Sequence, residues 1–380
     1  MESKRNNLKG DDDSIEDIKE KGVYKNAEIL NTVHTLDNLK ETKLKERNIS
    51  IDILKTLGIL CIILAHVNPP NMIFQIRNFD VSLMVILAAF LGKQSYNKNT
   101  NHFKYLAKRI MRLVLPVWIF LTIFFGVMFS LNFLGFKINI LDFKKILESY
   151  LLLDGIGYVW IIRVYILCCI GMLILIKASK IIKPTLLKII LVFVYIAYEI
   201  LYYFIEEKNF ILEYFIYNII PYGIVCTYIG LELKNMSNKK ILKISLIMIS
   251  IFIILATYFS MSQGHFVITN NYKYPPRLYY LSYAIGISLL LYYLIDRKNI
   301  FNIKKRLNNS IIIFISSHSM WIYLWHILFI FIINKIFLNI NFIIKYITVL
   351  IGAILVTYLQ TTVIKMLKIK NKTILSIING

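Results

Sequence analysis

Long apolar runs recur along the whole chain and limit its possible folds more than any other feature. Each run is about 20 residues long, which lets a helix cross a hydrocarbon layer of about 30 Å. Because lipid offers the backbone no hydrogen-bond partners, each run has to pair its own polar groups as a helix. Charged residues make up 17% of the chain, whereas soluble domains carry about a quarter. The pattern predicts an all-α membrane bundle of about ten transmembrane helices.

The runs divide the chain into a membrane domain at 49–370, a cytosolic tail at 1–48 and a short tail at 371–380. The N-terminal tail is polar and predicted to be largely disordered. Segment 139–152 carries apolar residues among lysines and is predicted to be an amphipathic interfacial helix. The predicted spans are residues 49–67, 79–92, 113–135, 158–176, 184–205, 213–233, 242–261, 277–296, 309–334 and 341–364.

The distribution of positive charge predicts how the spans are oriented. The net charge is +22, and residues 1–48 hold ten basic and eleven acidic residues, so the excess lies in the membrane domain. With the N-terminus inside, the inner segments carry 22 Lys and Arg and the outer loops carry 9. Short inner loops are the positive ones in membrane proteins. We therefore expect both termini in the cytosol, and we expect no nucleic-acid partner.

The first span carries three polar side chains on related faces. Asp52 and Lys55 lie one helical turn apart, and His66 follows Lys55 by eleven residues. Eleven steps of about 100° bring His66 back to the face of Lys55, at a separation of roughly 16 Å along the axis. Ionisable residues in a membrane are costly, so these three are candidate catalytic residues. The alternative is an ion pair at the interface with His66 ending the helix.

A basic cluster precedes the third span. Arg109 and Arg112 are i, i+3 neighbours on one helix face, and Lys108 lies beside them. Guanidinium groups at a cytosolic opening suit the phosphates of a nucleotide-bearing compound such as CoA. The alternative is ordinary anchoring of a positive inner loop.

The ninth span carries a polar stripe. Ser319, Tyr323 and His326 are spaced i, i+4, i+7 on an otherwise apolar helix and should face the bundle interior. They are candidate catalytic residues, and the alternative is hydrogen bonding that joins helices. By their depth in their spans, His66, His326, Arg163 and Glu199 should lie at similar heights in the outer half, with the last two as candidate substrate-binding residues.

These motifs together resemble a known family. The chain contains, in order, Asp52–Lys55–His66, Arg109-x-x-Arg112, Tyr274-Pro275-Pro276 and Ser319-x-x-x-Tyr323-x-x-His326. The set is similar to acyltransferase family 3 of membrane O-acyltransferases, whose first span reads Asp-x-x-Arg, ten residues, then His. The resemblance runs from about Arg47 to the end of the tenth span. Lys55 stands where the family has Arg.

The resemblance implies a plasma-membrane enzyme that moves an acyl group, commonly acetyl, from acyl-CoA to a hydroxyl of an envelope carbohydrate. Acyl-CoA is then a substrate, with no permanently bound cofactor, and the partners are membrane lipid and a carbohydrate or lipid-linked glycan. Arg109 and Arg112 would hold the CoA phosphates, His66 would be the general base, and Tyr323 or Lys55 would stabilise the oxyanion. Two other functions stay open: a transporter or flippase for a lipid-linked glycan, and a non-catalytic scaffold in envelope assembly.

The cysteines give no indication of a metal site. All four lie inside apolar runs, and no pair has the spacing of a metal motif. We expect them to be small apolar packing residues.

Overall fold

The structure, a computed structural model, describes residues 47–96, 101–136, 140–205, 209–299, 310–337 and 340–367. Nearly all of the predicted N-terminal tail, and the whole segment 371–380, lie outside these ranges. Within them the chain is helical and forms no β-strand.

The helices follow one another with short connections. In chain order they are α1 (Ile49–Ala65), α2 (Asn71–Ile76), α3 (Asp80–Ser95), α4 (His102–Phe133), α5 (Phe143–Tyr150), α6 (Trp160–Ile181), α7 (Pro184–Phe204), α8 (Thr227–Glu232), α9 (Asn238–Gln263), α10 (Leu278–Tyr292), α11 (Ser310–Ser317), α12 (Ser319–Ile336) and α13 (Phe342–Met366). Three π-helical segments, Leu212–Ile216, Ile219–Cys226 and Tyr293–Arg297, and a 3₁₀ turn at Thr269–Tyr272 complete the described elements.

The predicted all-α membrane bundle is confirmed. Nine helices in the described ranges are long and apolar enough to cross a membrane, the shortest with 18 residues. Helix α1, which corresponds to the first predicted span, has 17 residues, and these rise about 25 Å. The chain is therefore a multi-pass membrane protein.

The most buried spans lie at the centre of the bundle. In the most apolar stretch of Asn71–Ser95, 78% of the residues are buried inside the protein, against 11% in α7 and in α9. The outward faces of α7 and α9 therefore meet lipid. Helix α3 packs against α6, α8 and α10 and so forms the inner wall of the bundle.

Three predicted boundaries differ from the observed helices. The third span begins at His102, because the Asn101 side chain accepts a hydrogen bond from the backbone N–H of Phe103 at 2.9 Å and caps the helix there. The ninth predicted run is divided at His318 into α11 and α12. The sixth, 213–233, is largely π-helical, with α8 at its end.

The predicted amphipathic segment forms the short helix α5. Phe143 is 76% exposed and Leu147 is 47% exposed, whereas Ser149 is buried. An apolar face without protein cover suits the membrane interface. The helix is observed at the predicted place, and its interfacial position stays a prediction.

Candidate active site

The site is built around two histidines from different helices. His66 follows the last residue of α1, and His326 lies in the middle of α12. His66 Nδ1 and His326 Nε2 are 2.9 Å apart, and the two rings stack with centroids 5.1 Å apart. Two of the four residues expected at similar depth are therefore in direct contact.

Hydrogen bonds determine where the protons of this pair lie. His326 Nδ1 donates to the carbonyl oxygen of Tyr323, because a carbonyl can only accept. In neutral His326 the other nitrogen, Nε2, then accepts, so His66 Nδ1 is the donor to it. This leaves the lone pair of neutral His66 on Nε2. The pair is therefore arranged to present a base at His66.

Tyr323 lies beside the pair, but its hydroxyl proton is engaged in a hydrogen bond. The hydroxyl donates to the carbonyl oxygen of Tyr158 at 2.5 Å. This bond ties α12 to the loop before α6 and leaves the Tyr323 oxygen as an acceptor. Ser319, one turn earlier in α12, lies with Tyr323 in the wall of a cavity. The predicted polar stripe thus faces the bundle interior.

Three adjoining cavities meet at these residues. The first, which we call the Lys55 cavity, has a volume of about 220 Å³ and includes Lys55, Arg109, Ser319 and Tyr323 in its wall. Most of its remaining lining is aliphatic, from α1, α3 and α6. It suits an apolar chain with a polar group near Lys55 and Arg109.

The second, the junction cavity, is the smallest, at about 150 Å³. Its wall contains His66, Tyr323 and the charged residues Arg77, Asp80 and Lys273. Ile62, Ile161 and Tyr323 line both this cavity and the Lys55 cavity. The junction cavity therefore borders the Lys55 cavity directly.

The third, the vestibule, has a volume of about 760 Å³. His66, Trp160 and Tyr274 line both the vestibule and the junction cavity. The vestibule wall also contains six more aromatic or acidic residues: Tyr158, Tyr202, Tyr214, Tyr217, Asp154 and Glu213. His66 is thus the histidine between the vestibule and the junction cavity.

Asp52 and Lys55 attach α1 to α11. The Lys55 ammonium donates to the Ser316 carbonyl oxygen at 2.6 Å. The Ser316 hydroxyl donates to the Asp52 carboxylate, also at 2.6 Å. Because Lys55 and His66 are roughly 16 Å apart along the helix, neither Asp52 nor Lys55 is placed at the histidine pair. Lys55 belongs to the far end of the first cavity.

The basic cluster on α4 divides into three different environments. Arg109 lines the Lys55 cavity and donates from Nε to the Tyr105 hydroxyl at 3.1 Å and from Nη2 to the Ser95 hydroxyl. Arg112 lies outside the lining of that cavity, and its buried Nε has no hydrogen-bond partner in the described part of the chain. Lys108 is exposed. Only Arg109 of the three lies in the wall of a cavity described above.

Arg163 and Glu199 lie in different surroundings as well. Arg163 lines the vestibule, donates to the Leu152 carbonyl at 2.8 Å and has its guanidinium carbon 4.7 Å from the centre of the Tyr214 ring. Glu199 is not among the vestibule residues. It accepts from Arg277 Nε at 3.0 Å and from the backbone N–H of Leu278 at 2.7 Å, so it holds the start of α10.

Sequence reasoning missed three charged residues of the junction cavity. Arg77, Asp80 and Lys273 are all buried and linked by ion pairs. Asp80 stands inside the predicted span 79–92, and an ionisable residue in a membrane segment is a functional candidate by default. By the criterion that made Asp52 a candidate, Asp80 is a candidate as well.

No group of three or more His, Cys, Asp or Glu side chains within the described residues is arranged to hold a metal ion. The four cysteines are free thiols.

Comparison with known proteins gives one match. Residues 48–362 match the model of acyltransferase family 3, which is described as an acyltransferase domain. This stretch includes α1 to α12, most of α13 and every cavity residue named above. No curated protein and no solved structure matches the chain.

Proposed function

The chain belongs to acyltransferase family 3, and from that premise we propose that it transfers an acetyl group from acetyl-CoA to a hydroxyl of an envelope carbohydrate in the plasma membrane. The family makes it a membrane acyltransferase. The observation that carries the finer proposal is the row of three adjoining cavities, in which His66 lies between the vestibule and the junction cavity. One cavity is narrow and mostly aliphatic, and another is wide and aromatic, as two unlike substrates require.

The Lys55 cavity suits the acyl donor. Its volume of about 220 Å³ is too small for a nucleotide together with the arm, so the nucleotide would stay outside and only the pantetheine arm would enter. Arg109, at the wall, would contact the phosphate end, because guanidinium groups pair well with phosphate oxygens. Lys108 and Arg112 would contribute at most through their charge. The thioester at the end of the arm would then reach Tyr323 and the junction cavity.

The vestibule suits a carbohydrate. Its volume of about 760 Å³ lies within the range of ligand-binding sites, roughly 300–1,000 Å³. Tyrosine and tryptophan rings offer flat apolar faces to a sugar ring, while Asp154, Glu213 and Asn218 offer acceptors to its hydroxyls. Arg163 braces this wall through Leu152 and Tyr214. An acceptor hydroxyl placed here would face His66.

The histidine pair supplies the base. His66 Nε2 would take the hydroxyl proton as the acceptor oxygen attacks the thioester carbonyl, and it would return that proton to the departing CoA sulfur. His326 keeps the reactive nitrogen unprotonated by accepting from His66 Nδ1, and it stabilises the imidazolium that forms. Neutral histidine is suited to this work near neutral pH.

Charge distribution supports the orientation. Acyl-CoA is a cytosolic compound, so the Arg109 end of the site would face the cytosol. Segment 93–112, which leads into that end, carries six Lys and Arg, and 68–80 at the opposite end carries one. The vestibule would then open on the outer face, where envelope glycans are assembled.

O-acyl esters on envelope glycans test the proposal. Glycans from wild-type cells, a deletion strain and strains with His66→Ala or His265→Ala would be analysed for esters. We expect ester loss in the deletion and in His66→Ala, because the base is removed. His265 is exposed in a loop and its ring bonds to the Gln263 carbonyl, so His265→Ala should keep wild-type esters.

Protein amount in the membrane would be measured for each variant. An unchanged ester profile in the deletion strain would contradict the proposed acceptor class. Wild-type esters in His66→Ala alone would remove His66 from the mechanism. Either result would bring the transporter and scaffold functions forward.

A further inference from the structure

A buried ionic cluster of Arg77, Asp80, Lys273 and Asn78 lies in or against the wall of the junction cavity. Arg77 Nη1 donates to Asp80 Oδ2 at 2.7 Å, and Lys273 Nζ donates to Asp80 Oδ1 at 3.3 Å. Lys273 Nζ also donates to Asn78 Oδ1 at 3.1 Å. The side chains of Arg77, Asp80 and Lys273 are 4%, 1% and 3% exposed. The cluster comes from the α2–α3 connection and from the loop before α10.

This cluster carries one more positive charge than negative. Two cations share one carboxylate, and an uncompensated buried charge is strongly unfavourable. Arg77 Nε is buried and has no hydrogen-bond partner within the described residues. Lys273 has three N–H donors, and two are used by Asn78 and Asp80. Within the described residues, one positive charge of the cluster is therefore left without a carboxylate, and both cations also lie over aromatic rings.

Lys273 keeps its charge at neutral pH. Burial lowers the pKa of Lys273 to about 8, and the Asp80 carboxylate opposes this shift. The residue lies in the connection between α9 and α10, outside the spans. At pH 7 most of the protein therefore holds Lys273 as an ammonium group.

Acyl transfer requires hydrogen-bond donors for the oxyanion, and neither Tyr323 nor Lys55 is placed to supply them. The Tyr323 hydroxyl donates its proton to the Tyr158 carbonyl. Lys55 lies roughly 16 Å along α1 from His66. Among the described residues in the wall of the junction cavity, the positively charged N–H donors belong to Lys273 and Arg77, and the neutral ones include Trp160 and Asn270.

We infer that Lys273 and Arg77 bind the carbonyl oxygen of the acyl group in the junction cavity and stabilise the oxyanion formed during transfer. The inference rests on the proposed acyl transfer. The junction cavity borders both the Lys55 cavity and the vestibule, so it lies where the acyl donor and the acceptor meet. A preorganised positive group in a site closed to water stabilises developing charge most effectively.

The proposed reaction follows the course of an ordinary acyl transfer. The acceptor oxygen forms a bond to the carbonyl carbon while its proton passes to His66 Nε2. The carbonyl π electron pair moves onto the oxygen, which becomes the oxyanion between Lys273 and Arg77. When the pair returns, the carbon–sulfur bond breaks, and the CoA sulfur takes the proton from His66. The products are an ester and CoA thiol.

The same cluster fits a permanently anionic sugar less well. A volume of about 150 Å³ holds an acyl group and the reacting oxygen, but not a sugar ring with its neighbours. A sugar in the vestibule would lie against Asp154 and Glu213, which repel an acidic group. Both observations favour a small oxyanion over an acidic substituent of the acceptor.

The test measures the rate at which CoA thiol is released from acetyl-CoA in membrane vesicles. The vesicles come from the deletion strain, and each preparation contains one full-length variant at the same amount. The rate in His66→Ala vesicles is subtracted as background. Lys273→Met should lower kcat about 100–1,000-fold, the usual effect of losing one oxyanion donor, while KM for acetyl-CoA stays within about twofold of wild type. Lys273→Arg keeps the charge and should restore part of the rate.

Lys345→Met is the matched control, because Lys345 is also buried, at 6% exposure, but lies on α13 and lines none of the three cavities. It should keep the wild-type rate. If Lys273→Met does not accumulate in the membrane, Lys273→Gln is judged by the same criteria.

A wild-type kcat in Lys273→Met would overturn the inference, as would a rate lost only through a higher KM for acetyl-CoA. Normal thiol release with ester loss on acidic glycans alone would also overturn it and would make the cluster an acceptor-binding site. Equal rates in wild-type and His66→Ala vesicles would instead overturn the proposed function, and the inference with it.

Discussion

A neutral imidazole donates from one nitrogen and accepts at the other, so its neighbours decide which nitrogen can act as a base. His326 Nδ1 donates to the Tyr323 carbonyl, so His326 Nε2 is left as an acceptor. His66 Nδ1 donates to that Nε2, so the free lone pair of His66 is on its own Nε2. In the proposed mechanism His326 is a positioning residue, since it would act on the reaction through His66. The spacing of Ser319, Tyr323 and His326 indicates one helix face, but it does not indicate that a backbone carbonyl sets the tautomer of the pair.

Lys55 is the departure from the family pattern, and its contact explains why a lysine is tolerated. Its ammonium donates to a carbonyl oxygen, that of Ser316. A carbonyl does not need the planar two-pronged geometry that arginine offers to carboxylates and phosphates. A single ammonium is therefore sufficient for this contact.

At the residue scale we predict that kcat for thiol release falls as the pH rises through about 8. Above the pKa of Lys273, about 8, the side chain becomes neutral and the oxyanion loses a charged partner. Lys273 faces the Asp80 carboxylate, the Arg77 guanidinium and the rings of Tyr274 and Tyr280.

Initial rates between pH 6 and pH 10 would measure this alkaline limb, with background hydrolysis subtracted. In Lys273→Arg the limb should move to higher pH, because arginine stays protonated throughout this range. A limb at the same pH in wild type and Lys273→Arg would assign the titration to another group.

The element that shapes the vestibule is the π-helical stretch between α7 and α8, and it depends on a close contact with α6. Gly171 on α6 faces Gly223, so that a Cβ added at Gly171 would lie 1.8 Å from the Gly223 carbonyl oxygen. Small residues let membrane helices approach closely. Because π-helical turns widen the backbone locally, this contact also sets where Tyr217 and Asn218 stand in the vestibule.

We predict that Gly171→Ala destabilises the protein by roughly 1–3 kcal/mol, the usual cost of overpacking a tight site. The obstacle is a backbone carbonyl, so α6 and the π-helical stretch would have to separate. Thermal unfolding of the purified protein in detergent would measure the loss as a lower melting temperature.

Gly126→Ala on α4 is the matched control, since nothing lies within 4 Å of a Cβ added there. It should be neutral or slightly stabilising, because alanine favours helices over glycine by up to about 1 kcal/mol. Equal melting temperatures for the two variants would show that the α6 contact is not a packing constraint.

At the scale of the whole molecule, the number of basic residues varies along the membrane normal, whereas the burial of the helices varies across the bundle. The alternation of basic segments runs along the membrane normal and predicts orientation. Burial varies across the bundle, with Asn71–Ser95 at its centre and α7 and α9 at its edge. Together they place the site inside the bundle, with the Lys55 cavity toward the positive face.

Cysteine labelling tests that orientation. We predict that a membrane-impermeant maleimide labels His265→Cys in intact cells, because segment 262–277 is an outer loop. Asn235→Cys, in an inner segment, should react only after the cells are permeabilised. Both positions are exposed in the structure, and the unmodified protein gives the background from its four native cysteines. The reverse pattern would invert the proposed topology.

Features that depend on local composition and spacing could be predicted from the amino-acid sequence alone. Apolar runs of about 20 residues are sufficient for membrane helices, because lipid forces each run to satisfy its own backbone. The order of Asp52, Lys55, His66, Arg109 and the Ser319–His326 stripe was sufficient for the family, which the match to residues 48–362 confirms.

Which residues share a site depends on tertiary packing, because their contacts join parts of the chain that are far apart in sequence. His66 and His326 meet across 260 positions, and Asp80 and Lys273 across 193. Helical spacing indicates which way each side chain points from its own axis, whereas lateral packing decides what it meets. For that reason Arg112 and Glu199, chosen by depth and charge, lie outside the three cavities, while Arg77 and Lys273 lie in the wall beside His66.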